Sequence, residues 1–467
     1  MNRPKMRRLI AAYKEKFTKL HGVIFAAAFI VLSAALAIGA VQSTWSSEAY
    51  TTPAEPLRNF TYEIADGETG AATFPHSFQN LAPQTAVTVQ TEVEPGRYEY
   101  LLVKTVYSRL RLYSDDVLIY ECGEPSGYPA WMSDPPTLLK NVQIPETASR
   151  LHFEYISPTQ RTTLSVPEVM AGDNGAILAW LFSRNIVLLV LSLVMLLLGI
   201  AVTIISLLFG RRATVFLHLG LFALAVGAWG VGECNATAFL VPYPTLLYLI
   251  AFGGLFTLSI PLLRYALLIL KPRRPLIMRL TAIVTEAAVV IAFALQLFGA
   301  VSLSKSMYLF HILIPLGFVI FAAVTAWEYS RYKNPGAKRF ALPTLILAAA
   351  AILEVVNYSL RFTHQLSLFF LSGAFVFTLM LGVIGIQYVG DMRRAFDDIS
   401  AKTDFYRRMA HDLLTPLTRV STNIQIADLK DDTDHERLEK SQDEIIRMAA
   451  MINDALNSAG ESGVDGG

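Results

Sequence analysis

Long apolar runs separated by short polar segments dominate the second half of the chain. Each run is close to the ~20 residues that a helix needs to cross the hydrocarbon core of a membrane. The pattern therefore predicts a seven-transmembrane-helix region over residues 184–389. The predicted spans are Arg184–Phe209, Ala213–Glu233, Thr245–Leu270, Leu280–Phe298, Met307–Trp327, Leu342–Leu360 and Leu366–Val389.

Another apolar run lies near the N-terminus. Residues 1–21 are basic and residues 22–41 are apolar, an order shared by signal peptides and membrane anchors. The apolar run is long enough to span, so the pattern favours an uncleaved transmembrane anchor with its basic end in the cytoplasm; a cleaved signal peptide is the alternative. With the anchor, the chain has about eight crossings.

Between these regions, residues 42–178 show a period of two. Short alternating segments are separated by prolines, glycines and acidic turns, with Ser114–Asp116 as a hairpin turn. This pattern predicts an antiparallel all-β sandwich outside the membrane. The clearest strand candidates are Ala86–Glu94, Tyr98–Tyr107, Ser108–Tyr113, Val117–Cys122, Val142–Ile144 and Arg150–Tyr155.

Residues 390–459 have helical periodicity, followed by a flexible tail over 460–467. Apolar positions recur at steps of three and four from Phe396 to Ala427, a polar loop covers 428–434, and the periodicity resumes over 435–458. Two helices joined by a short loop form a hairpin, and each hairpin leaves an apolar face uncovered. We therefore expect two copies to close a four-helix bundle, which makes the protein a homodimer.

Composition and charge support a multipass membrane protein. The chain is 53% hydrophobic and only 16% charged, with a net charge of +1, so nucleic-acid binding is not indicated. Basic residues fall in alternate loops of the membrane region, which predicts cytoplasmic N- and C-termini. Cys122 and Cys234 are too few for a disulfide framework or a thiolate zinc site, and two unrelated thiols are favoured over a pair.

Two groups of residues are candidates for ligand contact or coupling. The proline-rich loop Gly123–Pro136 carries Tyr128 and Trp131, which either stack on a ligand such as a carbohydrate or pack within the loop. Polar residues inside predicted spans are costly in lipid and should face the bundle interior, as a coupling network, a small-ligand site or structural hydrogen bonds. These intramembrane residues are Arg264, Glu286, Glu354 and Asn357.

The sharpest chemical signal is the segment His411-Asp412-Leu-Leu-Thr415-Pro416-Leu. His411 lies just off the apolar seam and should reach solvent, with Thr415 on the same face one turn later. Pro416 removes one intrahelical hydrogen bond and should bend the helix. A carboxylate that orients one nitrogen of an imidazole makes the other nitrogen a better nucleophile.

This segment resembles the H-box of sensor histidine kinases. The succession of anchor, β domain, seven helices and H-box resembles bacterial receptors of the 7TMR-DISM type, whose outer jelly-roll domain is similar to carbohydrate-binding modules. The resemblance implies that His411 is the phospho-acceptor, Asp412 its activating acid, and Thr415 the hydroxyl that positions water during dephosphorylation of a partner. It also implies a response-regulator receiver domain as partner and an unknown extracellular ligand.

No asparagine box or glycine-rich nucleotide loop occurs within residues 1–467, which predicts that an ATP-binding domain is absent from this sequence. We therefore expect no bound cofactor in this chain and no phosphorylation of the chain by itself. Three explanations stay open: a shortened or interrupted kinase, a protein that uses a separate kinase catalytic domain with ATP and Mg²⁺ in trans, or a histidine phosphorylated in reverse from a response regulator. The leading hypothesis is a membrane sensor of a two-component phosphorelay. The alternative is a non-catalytic receptor whose hairpin only dimerises or docks a partner, and a transporter is disfavoured because no inverted repeats are seen.

Overall fold

The computed structural model describes residues 52–209, 214–360 and 367–426, together with 440, 441, 443, 445–448 and 450. The predicted N-terminal anchor, the loop 428–434 and the tail 460–467 lie outside these residues. The chain divides into two compact units, residues 1–385 and 386–467. The first contains the β domain and the membrane helices up to residue 385.

The β domain is built from antiparallel strands in two main sheets. One sheet has the order β1-β12-β6-β9, the other has the order β3-β2-β5-β10-β7-β8, and β4 pairs with β11. The strands are β1 Glu55–Pro56, β2 Asn59–Ile64, β3 Thr69–Thr73, β4 His76–Phe78, β5 Ala86–Glu92, β6 Tyr100–Thr105, β7 Arg109–Ser114, β8 Val117–Cys122, β9 Leu138–Gln143, β10 Arg150–Ile156, β11 Leu164–Val166 and β12 Met170–Gly172.

The alternating pattern of the sequence explains the sandwich. Leu112 of β7 lies opposite Phe153 of β10, and Phe153 lies opposite Val89 of β5, so these fully buried side chains line one face. They share a core with Leu101 and Val103 of the other sheet. The predicted β segments therefore coincide with β5 to β10 to within a few residues.

The predicted hairpin turn at Ser114–Asp116 joins β7 to β8. Asp115 has a left-handed backbone with φ 46°, a conformation that aspartate tolerates better than most residues. Its carboxylate accepts hydrogen bonds from Ser149 N at 2.9 Å, Ser149 Oγ at 2.6 Å and Arg150 N at 2.9 Å. These bonds, with the Ser149 hydroxyl contributing most, hold the pKa of Asp115 below its ordinary value.

The helices follow the β domain. They are α1 Asn174–Phe209, α2 Thr214–Glu233, α3 Asn235–Leu240, α4 Pro244–Thr257, α5 Ser259–Leu270, α6 Leu276–Leu297, α7 Leu303–Tyr332, α8 Pro335–Leu360 and α9 Leu368–Ile426. Within the described residues, seven helical segments are long and apolar enough to cross a membrane, with α4 and α5 forming one of them. This agrees with the seven predicted spans, whereas the eighth, residues 22–41, lies outside the described part.

Two helix boundaries differ from the expectation. α1 begins at Asn174, ten residues before the predicted span, because its first turns pack Ile177 and Leu181 against Leu102 and Met170 of the β domain. The span predicted as Thr245–Leu270 is interrupted at Leu258 between α4 and α5. Pro261 has no N–H to bond the carbonyl four residues earlier, at Thr257, which accounts for the interruption.

Both cysteines are free thiols, as the favoured interpretation stated. Cys122 is half-buried at the end of β8 and packs beside Tyr120 at the edge of the sandwich core. Cys234 is fully buried between α2 and α3.

Candidate functional site

His411 lies on α9, in the second compact unit. Its side chain is 82% exposed and that of Asp412 is 67% exposed. The imidazole Nδ1 is 3.3 Å from Asp412 Oδ1, so adjacent residues on this helix do bring their side chains together. The expectation that the ring of His411 reaches solvent agrees with this exposure.

The contact with Asp412 sets the chemistry that the imidazole can perform. A carboxylate next to Nδ1 favours the tautomer in which Nδ1 carries the hydrogen, so the lone pair available for attack is on Nε2. The exposure of the ring leaves room for a second protein domain to approach. The pair has the composition and the accessibility of an activated nucleophile.

The other two residues of the motif are described only in part. The backbone at Thr415 and Pro416 is helical, and α9 continues through both to Ile426. Their side chains lie outside the described ones, so the position of the Thr415 hydroxyl and the bend at Pro416 stay predictions. The same holds for most of the predicted seam.

Apolar side chains of this second unit are accessible on both predicted arms. On α9, Ile399 is 63% exposed, and in the described part of the second arm Ile445 and Ile446 are 48% and 65% exposed. The described residues of that arm, 440–450 with gaps, are helical. Both arms thus expose apolar surface in this single chain, and a second copy would be expected to cover it.

The N-terminus of α9, in the first unit, is capped by the side-chain carboxylate of Glu354 on α8. Glu354 Oε1 accepts from Ser367 N at 2.7 Å, and Oε2 accepts from Phe369 N at 3.0 Å and Phe370 N at 3.3 Å. Asn357, which is fully buried, donates its amide to Glu354 Oε1 at 3.5 Å. Of the four predicted intramembrane polar residues, Glu354 therefore caps a helix by satisfying N–H groups that have no intrahelical partner, and Asn357 hydrogen-bonds the capping carboxylate.

The other two intramembrane residues form an ion pair. Arg264 Nε donates to Glu286 Oε1 and Nη2 donates to Oε2, both at 2.7 Å. The expectation that they face the bundle interior is wrong for Arg264, whose side chain is 47% exposed, against 33% for Glu286. The bidentate pairing neutralises both charges, which makes their position on the helix surface tolerable.

Tyr128 and Trp131 are half-buried against the helices. Both pack on a cluster formed by Met132 with residues of α4, α6 and α7. The backbone carbonyl of Trp131 accepts from Gln296 Nε2 at 3.0 Å. The loop therefore anchors the β domain to the membrane helices, and its contact with a ligand stays a prediction.

Two buried polar residues with many partners were not predicted. Gln296 accepts from Tyr248 Oη at 2.9 Å and from Leu303 N at 2.8 Å in addition to bonding Trp131. Glu328, which is 2% exposed, accepts from Arg273 N at 2.8 Å and from Asn334 Nδ2 at 3.2 Å, and so connects two interhelical loops. Gln296 and Glu328 each lie near the end of an apolar run. At such a position the sequence pattern does not indicate whether a polar side chain is buried or exposed to solvent.

The described residues contain no group of three or more histidine, cysteine, aspartate or glutamate side chains that could hold a metal ion. No curated protein matches the chain. Among solved structures, the K1 cleaved adhesin domain of Lys-gingipain from Porphyromonas gingivalis W83 shares 12% identity over 27% of this chain and 99% of its own. The TM-score of 0.18 is too low to indicate a shared fold.

The family comparison concerns the segment that contains His411. Residues 401–459 match the His Kinase A (phospho-acceptor) domain. The match includes the contact pair of His411 and Asp412 and both predicted helical arms. The chain therefore contains a His Kinase A phospho-acceptor domain, preceded by a β-sheet domain and by helices apolar enough to span a membrane.

Proposed function

We propose that this protein is a membrane sensor of a two-component phosphorelay, in which His411 accepts a phosphoryl group and passes it to an aspartate of a response regulator. The observation that carries the proposal is the match of residues 401–459 to the phospho-acceptor domain, with an exposed histidine 3.3 Å from a carboxylate. ATP and Mg²⁺ would be bound by a histidine kinase catalytic domain supplied in trans.

In the proposed reaction, Nε2 of His411 attacks the γ-phosphorus of ATP in line with the leaving oxygen. The N–P bond forms as the bond to the bridging oxygen breaks, and ADP leaves with that electron pair. Asp412 holds the Nδ1 hydrogen and stabilises the positive charge that develops on the ring. In the second step an aspartate oxygen of the receiver domain attacks the same phosphorus, and the imidazole is the leaving group.

Dimerisation is part of the proposal. Phospho-acceptor domains of this family typically form homodimers, and the exposed Ile399, Ile445 and Ile446 provide apolar surface for a second copy.

Thr415 would position a water for hydrolysis of the regulator's acyl phosphate, as the resemblance implies. We further propose that the extracytoplasmic domain covers 42–178, the seven helices 184–389 and the hairpin 390–459.

Signal transmission would use α9. This helix begins at Leu368, where Glu354 caps it, and includes His411 within the same 59-residue element. The basic residues Lys271, Arg273 and Arg274 lie between α5 and α6. A second basic group, Arg331, Lys333, Lys338 and Arg339, lies around the junction of α7 and α8. Both groups favour the cytoplasm for the membrane side on which we place His411. A ligand outside the membrane would then alter phosphotransfer inside.

The proposal is tested with the full chain in lipid nanodiscs, a histidine kinase catalytic domain, and ATP with Mg²⁺. We expect an acid-labile label on the wild type, its loss in His411→Gln, and its transfer to an added receiver domain. Asp412→Asn should keep the dimer and slow labelling at least about tenfold, because it loses a charged hydrogen bond.

The non-catalytic alternative predicts the opposite pattern. A docking receptor would bind a receiver domain or a kinase equally well with His411→Gln and would lose binding with Leu417→Asp, which disrupts the predicted seam. Label that persists in His411→Gln, or no label on the wild type, would rule out the phosphotransfer role.

A further inference from the structure

Two interhelical loops meet at the end of α7 that lies away from the β domain. The start of α7 lies near that domain, because Gln296 bonds both Leu303 N and the carbonyl of Trp131. α7 has 30 residues and is therefore about 45 Å long, so its last residue, Tyr332, lies at the far ends of the apolar helices. The loop between α5 and α6 and the loop between α7 and α8 both lie at this end.

Two polar side chains join these loops. The carboxylate of Glu328, which is 2% exposed, accepts from Arg273 N at 2.8 Å and from Asn334 Nδ2 at 3.2 Å. Asn334 Nδ2 also donates to Leu270 O at 2.9 Å, and its Oδ1 accepts from Gly336 N at 2.9 Å. The bonds run from the end of α5 to the start of α8, so the two loops form one surface with a fixed backbone.

This surface is strongly basic, and we call it the basic platform. Its exposed cationic residues are Lys271, Arg273, Arg274, Arg331, Lys333 and Lys338. Among the described residues, no carboxylate lies within 4.0 Å of the side-chain nitrogens of Arg274, Arg331 or Lys333. The carboxylate of Glu328 is directed at backbone and amide donors instead. The cations of the platform are thus accessible to an anion from outside the protein.

The backbone places a lysine where each of two helices ends. Lys271 follows α5 with φ 44°, and Lys333 follows α7 with φ 51°, so both are left-handed. Glycine is the usual residue at this position, because a side chain is strained in the left-handed conformation. Both loops therefore accept backbone strain and present an ammonium group at the helix end.

Aromatic side chains place the platform at the boundary between lipid and water. Trp327 is 58% exposed and Tyr329 is 43% exposed on the last turns of α7, and tryptophan and tyrosine concentrate at this depth in membrane proteins. The Lys333 Nζ is 5.8 Å from the centroid of the Tyr329 ring, and the Arg273 guanidinium carbon is 4.2 Å from that of Tyr332. The cations therefore lie at the level where phospholipid phosphates lie.

We propose that the basic platform binds the headgroup of an anionic phospholipid. The phosphate oxygens would accept from Arg274 in one loop and Lys333 in the other, since basic groups between the ends of membrane helices suit such headgroups. The acyl chains would lie on Leu276 and Ile277, which follow Arg274 and are 71% and 54% exposed. These apolar side chains and the aromatic residues of α7 favour a lipid over an acidic protein as the occupant.

The test measures lipid binding to the delipidated full chain in detergent by native mass spectrometry. Dioleoyl phosphatidylglycerol is the anionic probe, and dioleoyl phosphatidylcholine is the zwitterionic probe with the same acyl chains. Glycerol phosphate provides the anionic headgroup without acyl chains, and a polyglutamate peptide provides acidic charge without a lipid. We expect phosphatidylglycerol to bind at least about tenfold more tightly than phosphatidylcholine or glycerol phosphate, because each basic residue near an anionic headgroup contributes about fivefold.

Variants locate the site. The double variant Arg274→Gln/Lys333→Gln removes one cation from each loop and should bind phosphatidylglycerol at least about tenfold more weakly than the wild type. The matched control is Arg58→Gln/Lys305→Gln, which removes an exposed arginine of the β domain and an exposed lysine at the other end of α7. This control should bind like the wild type. Far-UV circular dichroism and size exclusion show that each variant is folded.

The inference is overturned if phosphatidylglycerol and phosphatidylcholine bind equally, or if the folded double variant binds phosphatidylglycerol like the wild type. Glycerol phosphate that binds as tightly as phosphatidylglycerol would also overturn it, because the site would then take a soluble phosphate. Polyglutamate binding that the double variant loses, with lipid binding unchanged, would identify a surface for an acidic protein instead. Since the measurement involves neither His411 nor ATP, its failure leaves the phosphotransfer proposal standing, and the reverse holds as well.

Discussion

The carboxylate of Glu354 offers the sharpest perturbation of the helix that contains His411. Its two oxygens accept three backbone N–H groups at the start of α9, at 2.7, 3.0 and 3.3 Å. Glu354→Gln keeps one carbonyl oxygen, removes the negative charge, and turns an amide N–H group toward donors that need an acceptor. The substitution is nearly isosteric, so packing is preserved while the cap is weakened.

The size of the effect follows from these contacts. A hydrogen bond to a charged group contributes about 1.5–3 kcal/mol, and a carboxylate at a partly buried helix N-terminus contributes up to about 2 kcal/mol. The glutamine carbonyl oxygen can replace only one carboxylate oxygen, so at least one of the three bonds loses its acceptor and the others lose the charge of theirs. We therefore expect the free energy of unfolding to fall by about 2–4 kcal/mol. At about 2–4 °C per kcal/mol this lowers the unfolding midpoint by about 5–15 °C.

The buried thiol of Cys234 provides the assay. In a Cys122→Ser background, a maleimide dye that fluoresces on reaction reports the exposure of Cys234 as the chain is heated in detergent. Glu68→Gln, at an exposed position of the β domain, is the matched control and should leave the midpoint unchanged. If the midpoints of Glu354→Gln and Glu68→Gln coincide, the cap does not stabilise α9 and this reasoning is refuted.

Three further predictions follow from other contacts. Asp115→Asn should destabilise the β domain at neutral pH. Because folding lowers the pKa of Asp115, the stabilisation that its carboxylate provides is present above the ordinary carboxyl range and is lost on acidification. The urea midpoints of the variant and the wild type should therefore converge at low pH. Gln296→Leu should lower the unfolding free energy by about 2–4 kcal/mol, measured by the same thiol assay, since it leaves the Tyr248 hydroxyl and Leu303 N without their acceptor; an unchanged midpoint would contradict this. Thr415→Ala should leave phosphotransfer to a receiver domain intact and slow dephosphorylation of that domain, measured as decay of its label; equal decay rates would remove the proposed role of Thr415.

The sequence pattern correctly predicted the strands in which apolar and polar residues alternate regularly. Alternation at Leu110, Leu112, Phe153 and Tyr155 specifies which face of each strand is buried, and the structure buries all four completely. The shorter strands β1, β4, β11 and β12 were missed because two or three residues carry no measurable period. β3 was missed because its glycine and two alanines dilute the apolar pattern, whereas β2 was missed although Phe60, Tyr62 and Ile64 alternate along it.

The sequence pattern could not predict which side chains of distant segments contact each other. Hydropathy places Arg264 and Glu286 inside spans, but it contains no information on the angle at which two helices meet, and so not on their pairing or exposure. Trp131 sits in a loop that looked suited to solvent, and its surroundings come from helices more than a hundred positions further along the chain. His411 was the opposite case, because its chemistry resides in a short local motif.

The most direct test of the central claim is mapping of the phosphorylated residue on the full-length chain. After incubation with a histidine kinase catalytic domain, ATP and Mg²⁺, the protein is digested under neutral conditions and its peptides are sequenced by electron-transfer mass spectrometry. The account predicts phosphate on His411, in the peptide that also contains Asp412. Phosphate found on another residue, or a peptide containing His411 that is recovered only unmodified while the kinase domain is active, would contradict it.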